Sequence, residues 1–228
     1  MKKIFLTTVI ISLLFVGCDK EKEPKTDPNE PNELLPEGCN SNVPGWGNSI
    51  GTVSFATNQT WTIGSQTWSD AVRATNCQSK TTFLGYDTMP YTYSADCRSN
   101  PGQKGDLFSW CAVARYANTL CPSPWRVPAK EDFIALDVVM GGTGGPQTQE
   151  NVTLRDKYLN TWGGAYGGRV DWGDIIGQGE QGWYWSKSER YRNEAETLYI
   201  NVTYRGFVGV PFRLEKYWGL TLRCVRDN

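Results

Sequence analysis

The stretch CPSPWRVPAKEDF, Cys121–Phe133, decides how this chain folds. Pro122 and Pro124 cannot continue a helix, so they force a turn on whatever precedes them, and Pro128 suits the first turn of a helix that follows. Glu131 and Asp132 favour the dipole at that N-terminus. Phe133, Leu136 and Met140 supply its inner face, and Gly141 ends it. Nothing in this corner is a proton donor poised for chemistry. Its residues predict a clamp that holds two parts of a fold together.

Working outward, GDLFSWCAVARYANTL (105–120) repeats apolar residues at Leu107, Trp110, Cys111, Ala114 and Ala117, which is helical spacing, with Asp106 placed as N-cap. Further upstream TVSF (52–55) alternates as a strand. WTIGSQTW (61–68) puts Gly64-Ser65 between two short aromatic runs, the signal for a two-residue type II′ hairpin. In that register Ile63 faces Gln66 and Trp61 faces Trp68, a cross-strand aromatic pair expected in the core. Downstream of the corner, residues 141–182 are glycine-rich and irregular, while WYWSKS, TLYINVTY, FVGVPF and GLTLRCVR read as strands. The order is hairpin, two helices, long glycine-rich loops and a terminal sheet. That predicts an α+β domain in which two helices pack on short, twisted antiparallel sheets.

Composition bounds the function. With 228 residues, 39% hydrophobic content and 10 Trp, the chain can bury one core and still carry a tail, so one domain is expected. The net charge is -1 and there is no basic tract. Nucleic acid and acidic membrane surfaces are therefore not expected partners. The chain has no histidine, which excludes Ser-His-Asp and Cys-His catalysis and removes the commonest zinc ligand.

The opening MKKIFLTTVIISLLFVGC reads as a signal peptide over residues 1–17, with Lys2 and Lys3 ahead of an apolar run too short to cross a bilayer comfortably. Phe15-Val16-Gly17-Cys18 resembles a bacterial lipobox, which makes Cys18 the acylated residue and a lipid anchor the only contact with the membrane. Residues 18–37, rich in Asp, Glu, Lys, Pro and Asn, cannot bury enough surface to fold and are expected to form a solvated tether. Asp19-Lys20-Glu21-Lys22-Glu23 resembles the surface-export signal of Bacteroidetes lipoproteins, and Asp87-Thr88-Met89 resembles their O-glycosylation signal, with Thr88 as acceptor. Seven cysteines less Cys18 leave Cys39, Cys77, Cys97, Cys111, Cys121 and Cys224. An even set in an exported chain predicts a disulfide framework, and sequence does not choose among its pairings.

FSWCAVARYANTLCPSPWRVPAKEDF, then GWYWSKSE, then the closing GLTLRCVRD resemble the family named for the Fibrobacter succinogenes major paralogous domain, over about Thr52 to Asp227. The resemblance implies a disulfide-stabilised, C-type-lectin-like fold over residues 38–228, with Cys121 joined to Cys224. WRVPAKEDF is also similar to the RLPTEAEW segment of the formylglycine-generating enzyme group, although Ala129 stands where those relatives carry a Ser or Thr cap. The expectation is that the helix start leans on Pro128 and the disulfide instead. Those enzymes use two cysteines in the C-terminal part of the domain to bind copper. This chain has Cys224 alone there, so the resemblance does not carry catalysis over, and neither cofactor nor metal is expected. The calcium-binding triplets of C-type lectins do not occur between Gly38 and Asn228.

The ligand-contacting candidates are aromatic and arginine residues, the types that dominate binding hot spots. In the loops they are Trp162, Tyr166 and Trp172. In the C-terminal stretch they are Arg190, Tyr191, Arg192, Tyr204, Arg205, Arg213 and Tyr217. Trp183 and Trp185 resemble core positions of the family, and Asp171 and Asp174 read as a turn with a solvated face. The sequence thus predicts an outer-membrane lipoprotein at the cell surface, or alternatively facing the periplasm, whose domain binds an unknown protein or glycan ligand without catalysis. A structural envelope or adhesion subunit without a small ligand is the second reading, and an enzyme of the formylglycine-generating kind the third.

Overall fold

A computed structural model of the chain describes residues 36, 38, 39, 42–79, 84, 93–145, 148–202 and 206–228. Cys18, Thr88, Tyr204 and Arg205 lie outside the described residues, as do the leader and the tether as far as residue 35. The described residues form a mixed α+β fold, mostly sheet. β1 (Val53–Phe55), β2 (Thr60–Ile63) and β3 (Gln66–Ala74) open it, followed by β4 (Cys97–Arg98) and β5 (Leu107–Ser109). Three helices come next, α1 (Trp110–Arg115), α2 (Ala117–Leu120) and α3 (Lys130–Met140). Beyond them lie β6 (Thr148–Glu150), α4 (Val152–Asn160), β7 (Arg169–Asp171) and β8 (Asp174–Ile176). The chain ends in β9 (Gln181–Tyr191), β10 (Glu194–Asn201), β11 (Phe207–Glu215), β12 (Gly219–Thr221) and β13 (Arg223–Asp227).

The β2–β3 hairpin has the expected register, with Ile63 opposite Gln66 and Trp61 opposite Trp68. Gly64 takes φ 60 and Ser65 stays at negative φ, as a type II′ turn requires. Trp68 is buried, whereas Trp61 is only partly so. β3 is the centre of a four-stranded sheet, flanked by β2 and β13 and continued by β1. The second sheet runs β4-β5-β12-β9-β10-β11-β6, with the β7–β8 hairpin attached through β12.

Two apolar layers sandwich the long sheet because successive strand residues point to opposite faces. Trp183 and Trp185 enter one layer with Ala195, Leu214 and the α1 residues Trp110 and Cys111. Tyr184, between them in β9, enters the other with Leu198, Ile200, Val208 and the inner face of α3. Six cysteines, all in the first of these layers, form Cys39–Cys111, Cys77–Cys97 and Cys121–Cys224.

The first helix starts later than its spacing predicts. Leu107–Ser109 pairs with β12 and β4, so these residues are strand, and Ser109 caps α1 by accepting from Ala112 N at 3.1 Å. Asp106 is not the cap. It accepts from the backbone N–H of Ala74 at 3.0 Å and of Asn100 at 3.1 Å, and from Arg73 at 3.3 Å. The 141–182 region is not wholly irregular either, since it holds α4 and three short strands, so the described helices number four rather than two. Asn151 caps α4 by accepting from Leu154 N at 3.0 Å.

The corner is built as a clamp. Arg126 N and O both bond the backbone of Val225 in β13 at 2.9 Å, and Cys121 bonds Cys224 beside it. Pro128 lies just before the N-cap, Ala129, rather than in the first turn. The missing hydroxyl cap is replaced twice: Asp132 accepts from Ala129 N at 2.7 Å, and Ser188 of β9 accepts from Lys130 N at 2.9 Å. α3 therefore starts on its own third residue and on a neighbouring strand. Gly141 closes it in the left-handed conformation.

Candidate functional site

The loop aromatics separate according to what surrounds them. Trp162 is fully buried at the centre of a ring cluster, edge-on to Trp68 at 5.5 Å, Tyr158 at 5.8 Å and Tyr184 at 4.9 Å. The Arg223 guanidinium lies 4.1 Å from its ring and donates to its carbonyl at 2.6 Å. Trp162 has no face left for a ligand and is a core residue. Trp183 and Trp185 are buried as well. Tyr166 packs partly against the same core, where burial raises its phenol pKa.

Trp172 is the opposite case. β7 and β8 pair Asp171 with Asp174, which leaves Trp172-Gly173 as a two-residue turn with φ of 50 and 83. Both central residues at positive φ make this a type I′ turn, which favours Asn-Gly. Trp172 is the one non-glycine residue at positive φ in the described chain, and it is 64% exposed. Arg98 donates to the Gly173 carbonyl and pins the turn to β4. Asp171 is half-buried, with Arg169 at 3.9 Å. Burial raises its pKa, Arg169 lowers it and Glu215 raises it again. Asp174 is exposed, and the two acids flank the turn as expected.

The far end of the β9–β10 hairpin carries Arg190, Tyr191 and Arg192, all exposed or nearly so. Arg190 donates to Glu196 at 3.0 Å and lies 5.3 Å from the Tyr191 ring. The hydrogen bond to Glu196 raises its pKa. Arg213 sits opposite Glu196 on β11 and is exposed. Buried Lys216 fixes the base of this end: it bonds Glu189 and the Arg192 carbonyl and lies 4.5 Å from the Trp110 ring. Tyr217 is half-buried, stacked on Tyr93 at 6.2 Å.

Between the two hairpins lies an aromatic platform that sequence reading missed. Trp183 and Tyr199 stack at 3.8 Å, Phe212 stands 5.7 and 5.6 Å from them, and Trp218 stands 6.5 Å from Trp183. Arg169 at the base of the β7–β8 hairpin reaches over it, 4.3 Å from Trp218 and 5.4 Å from Trp183. Its burial among these rings lowers its pKa, against the pull of Asp171. Tyr199, Phe212 and Trp218 are partly exposed, so the platform is half open. Strands β9, β10 and β11 and the turn before β12 supply its rings. The only signal in the sequence was the alternation that sets Tyr199 on the same face as Thr197.

A concavity of about 320 Å³ is lined by Asn48, Ser49, Asn76, Gln78 and Asp96. These are scattered polar residues with no motif spacing, and no sequence signal marked them. Asp96 is only 8% exposed, and burial raises its pKa although Cys97 N donates to its Oδ1 at 2.8 Å.

Among the described residues no group of three or more Cys, Asp or Glu side chains is placed to hold a metal ion. None of the described helices is long and apolar enough to cross a membrane. Cys224 is bound to Cys121 in the core. Comparison with family models, curated proteins and solved structures finds no match for this chain.

Proposed function

We propose that this chain is an outer-membrane lipoprotein of the Fibrobacter major paralogous type, displayed at the cell surface, whose C-type-lectin-like domain binds a protein or glycan ligand without catalysis. The binding face runs from Trp172 to the Arg169 platform, whereas Arg213, between Phe212 and Leu214 on β11, points to the other side of the sheet. One observation carries this reading: Trp172 is kept at positive φ although it is mostly exposed. A left-handed conformation costs a non-glycine residue roughly 1–2 kcal/mol, and such strain concentrates at ligand clamps and other functional sites. Core packing does not require it, because the residue is mostly exposed.

Trp172→Asn tests the reading directly. It restores the Asn-Gly dipeptide that the turn favours, so the domain should become more stable by about 1 kcal/mol. A hot-spot tryptophan should meanwhile cost binding about 2 kcal/mol or more. The full-length protein is screened on glycan and protein arrays, and its hits are titrated with both forms. Unchanged affinity in the variant refutes the assigned face. No hit on either array favours the structural subunit instead.

A further inference from the structure

The concavity lined by Asn48, Ser49, Asn76, Gln78 and Asp96 shares no residue with the face just described, although Arg98, two residues from Asp96, reaches the Gly173 carbonyl. The concavity is preformed. The Cys77–Cys97 disulfide locks together the chain neighbours of Gln78 and Asp96, and Gln78 N donates to the Cys97 carbonyl at 3.4 Å. The opposite wall is tied in by Asn76, whose Nδ2 donates to the Ser49 carbonyl at 2.9 Å, and by Tyr116, whose hydroxyl donates to the Asn48 carbonyl. Gly45 lets this wall close on Asp96, since a Cβ there would stand 3.1 Å from the Asp96 Cβ. Rigid walls spare a ligand the ordering cost of building its own site.

The chemistry of the lining is narrow. At about 320 Å³ the space lies at the small end of ligand sites, and none of its five side chains is apolar. At its base Asp96 uses one carboxylate oxygen on Cys97 N, and no described cation pairs with the other. A buried carboxylate without a counter-charge either takes up a proton or draws in a cation. Calcium is a poor fit, because it takes six to eight oxygens and gains its affinity from several carboxylates. One ammonium group matches one carboxylate. The carboxamides and the Ser49 hydroxyl each offer both a donor and an acceptor, the pairing that adjacent hydroxyls need. The aliphatic stem of a lysine side chain would find nothing apolar to cover.

We propose that this cavity binds an amino sugar, its primary ammonium on Asp96 and its ring hydroxyls on Asn48, Asn76 and Gln78. The full-length protein in detergent micelles is titrated with glucosamine while the side-chain amide signals of those three residues are followed by NMR. Glucosamine should shift them saturably at millimolar concentration. Glucose, N-acetylglucosamine and methylamine should each bind at least about tenfold more weakly, a factor equivalent to 1.4 kcal/mol. Asp96→Asn keeps an acceptor for Cys97 N and should bring glucosamine down to the level of glucose. Gln78→Ala, at an exposed position, should weaken it with the fold intact even if the first variant folds poorly. Absence of saturable shifts, equal binding of glucose or methylamine, or indifference to both substitutions overturns the proposal. Each of these outcomes leaves array binding through Trp172 unchanged, so the two sites fail separately.

Discussion

Replacing Asp132 by alanine should take the clamp apart from one atom group. Its carboxylate, 6% exposed, accepts four hydrogen bonds. Oδ2 takes Arg126 Nη1 at 2.5 Å and Ala129 N at 2.7 Å, while Oδ1 takes Gln66 Nε2 at 2.6 Å and Arg126 Nη2 at 2.9 Å. One side chain thus joins the proline corner, the start of α3 and the first residue of β3. Losing the helix N-terminal acceptor costs about 1 kcal/mol. The Arg126 side chain is 37% exposed, so its pair is worth about 1 kcal/mol at most, as for surface ion pairs. Gln66 is buried and would keep an unsatisfied donor, at about 1–3 kcal/mol. Together the loss is about 3 kcal/mol, which in a domain of this size lowers Tm by roughly 6–12 °C.

Urea unfolding followed by tryptophan fluorescence, with the disulfides oxidised, measures this loss. Arg126→Ala should cost only about 1 kcal/mol, because its backbone bridge to Val225 survives. A loss below about 1 kcal/mol for Asp132→Ala, or equal losses for the two variants, refutes the accounting. Binding to an array hit, measured well below the transition, should stay intact in both. Should binding vanish while stability holds, the corner is part of the site and the clamp reading fails.

Cys18→Ala should move the protein from the membrane fraction to the soluble fraction and abolish acyl labelling; unchanged membrane association removes the lipobox from consideration. Tyr184 gives a pH test. Its buried hydroxyl donates to the Ala165 carbonyl at 2.9 Å and accepts from Ala165 N at 2.7 Å, and burial pushes its pKa up to about 12. The folded value lies above the unfolded one, so its contribution is complete below about pH 10 and is lost as pH rises through 12, about 3 kcal/mol over two units. In urea titrations between about pH 9 and 12, Tyr184→Phe should lose less stability than the parent protein, and parallel losses contradict the assignment.

Local signals were legible, and those that depend on distant strands were not. The register at Gly64-Ser65 and the inner face of α3 follow from neighbours in sequence, which is why both could be read directly. Leu107 looks helical by spacing alone, yet it is strand because Thr221 pairs with it from the far end of the chain. α4 escaped notice because it buries only Leu154 and Tyr158, too few residues for a period, although Asn151 offered a cap signal. Trp162 and Trp172 had the same apparent standing, each in a glycine-rich loop, and differ in what the fold brings around them. A distinction was nonetheless available in DWGD, Asp171–Asp174. Two strand-like runs flank a dipeptide whose second residue is the glycine of a type I′ turn, so the first residue should be Asn, Asp or Gly. Tryptophan there contradicts the local backbone rule, and it is mostly exposed. Conflicts of that kind are expected where function overrides stability, and the same conflict is absent at Trp162, which the core accommodates at an ordinary φ.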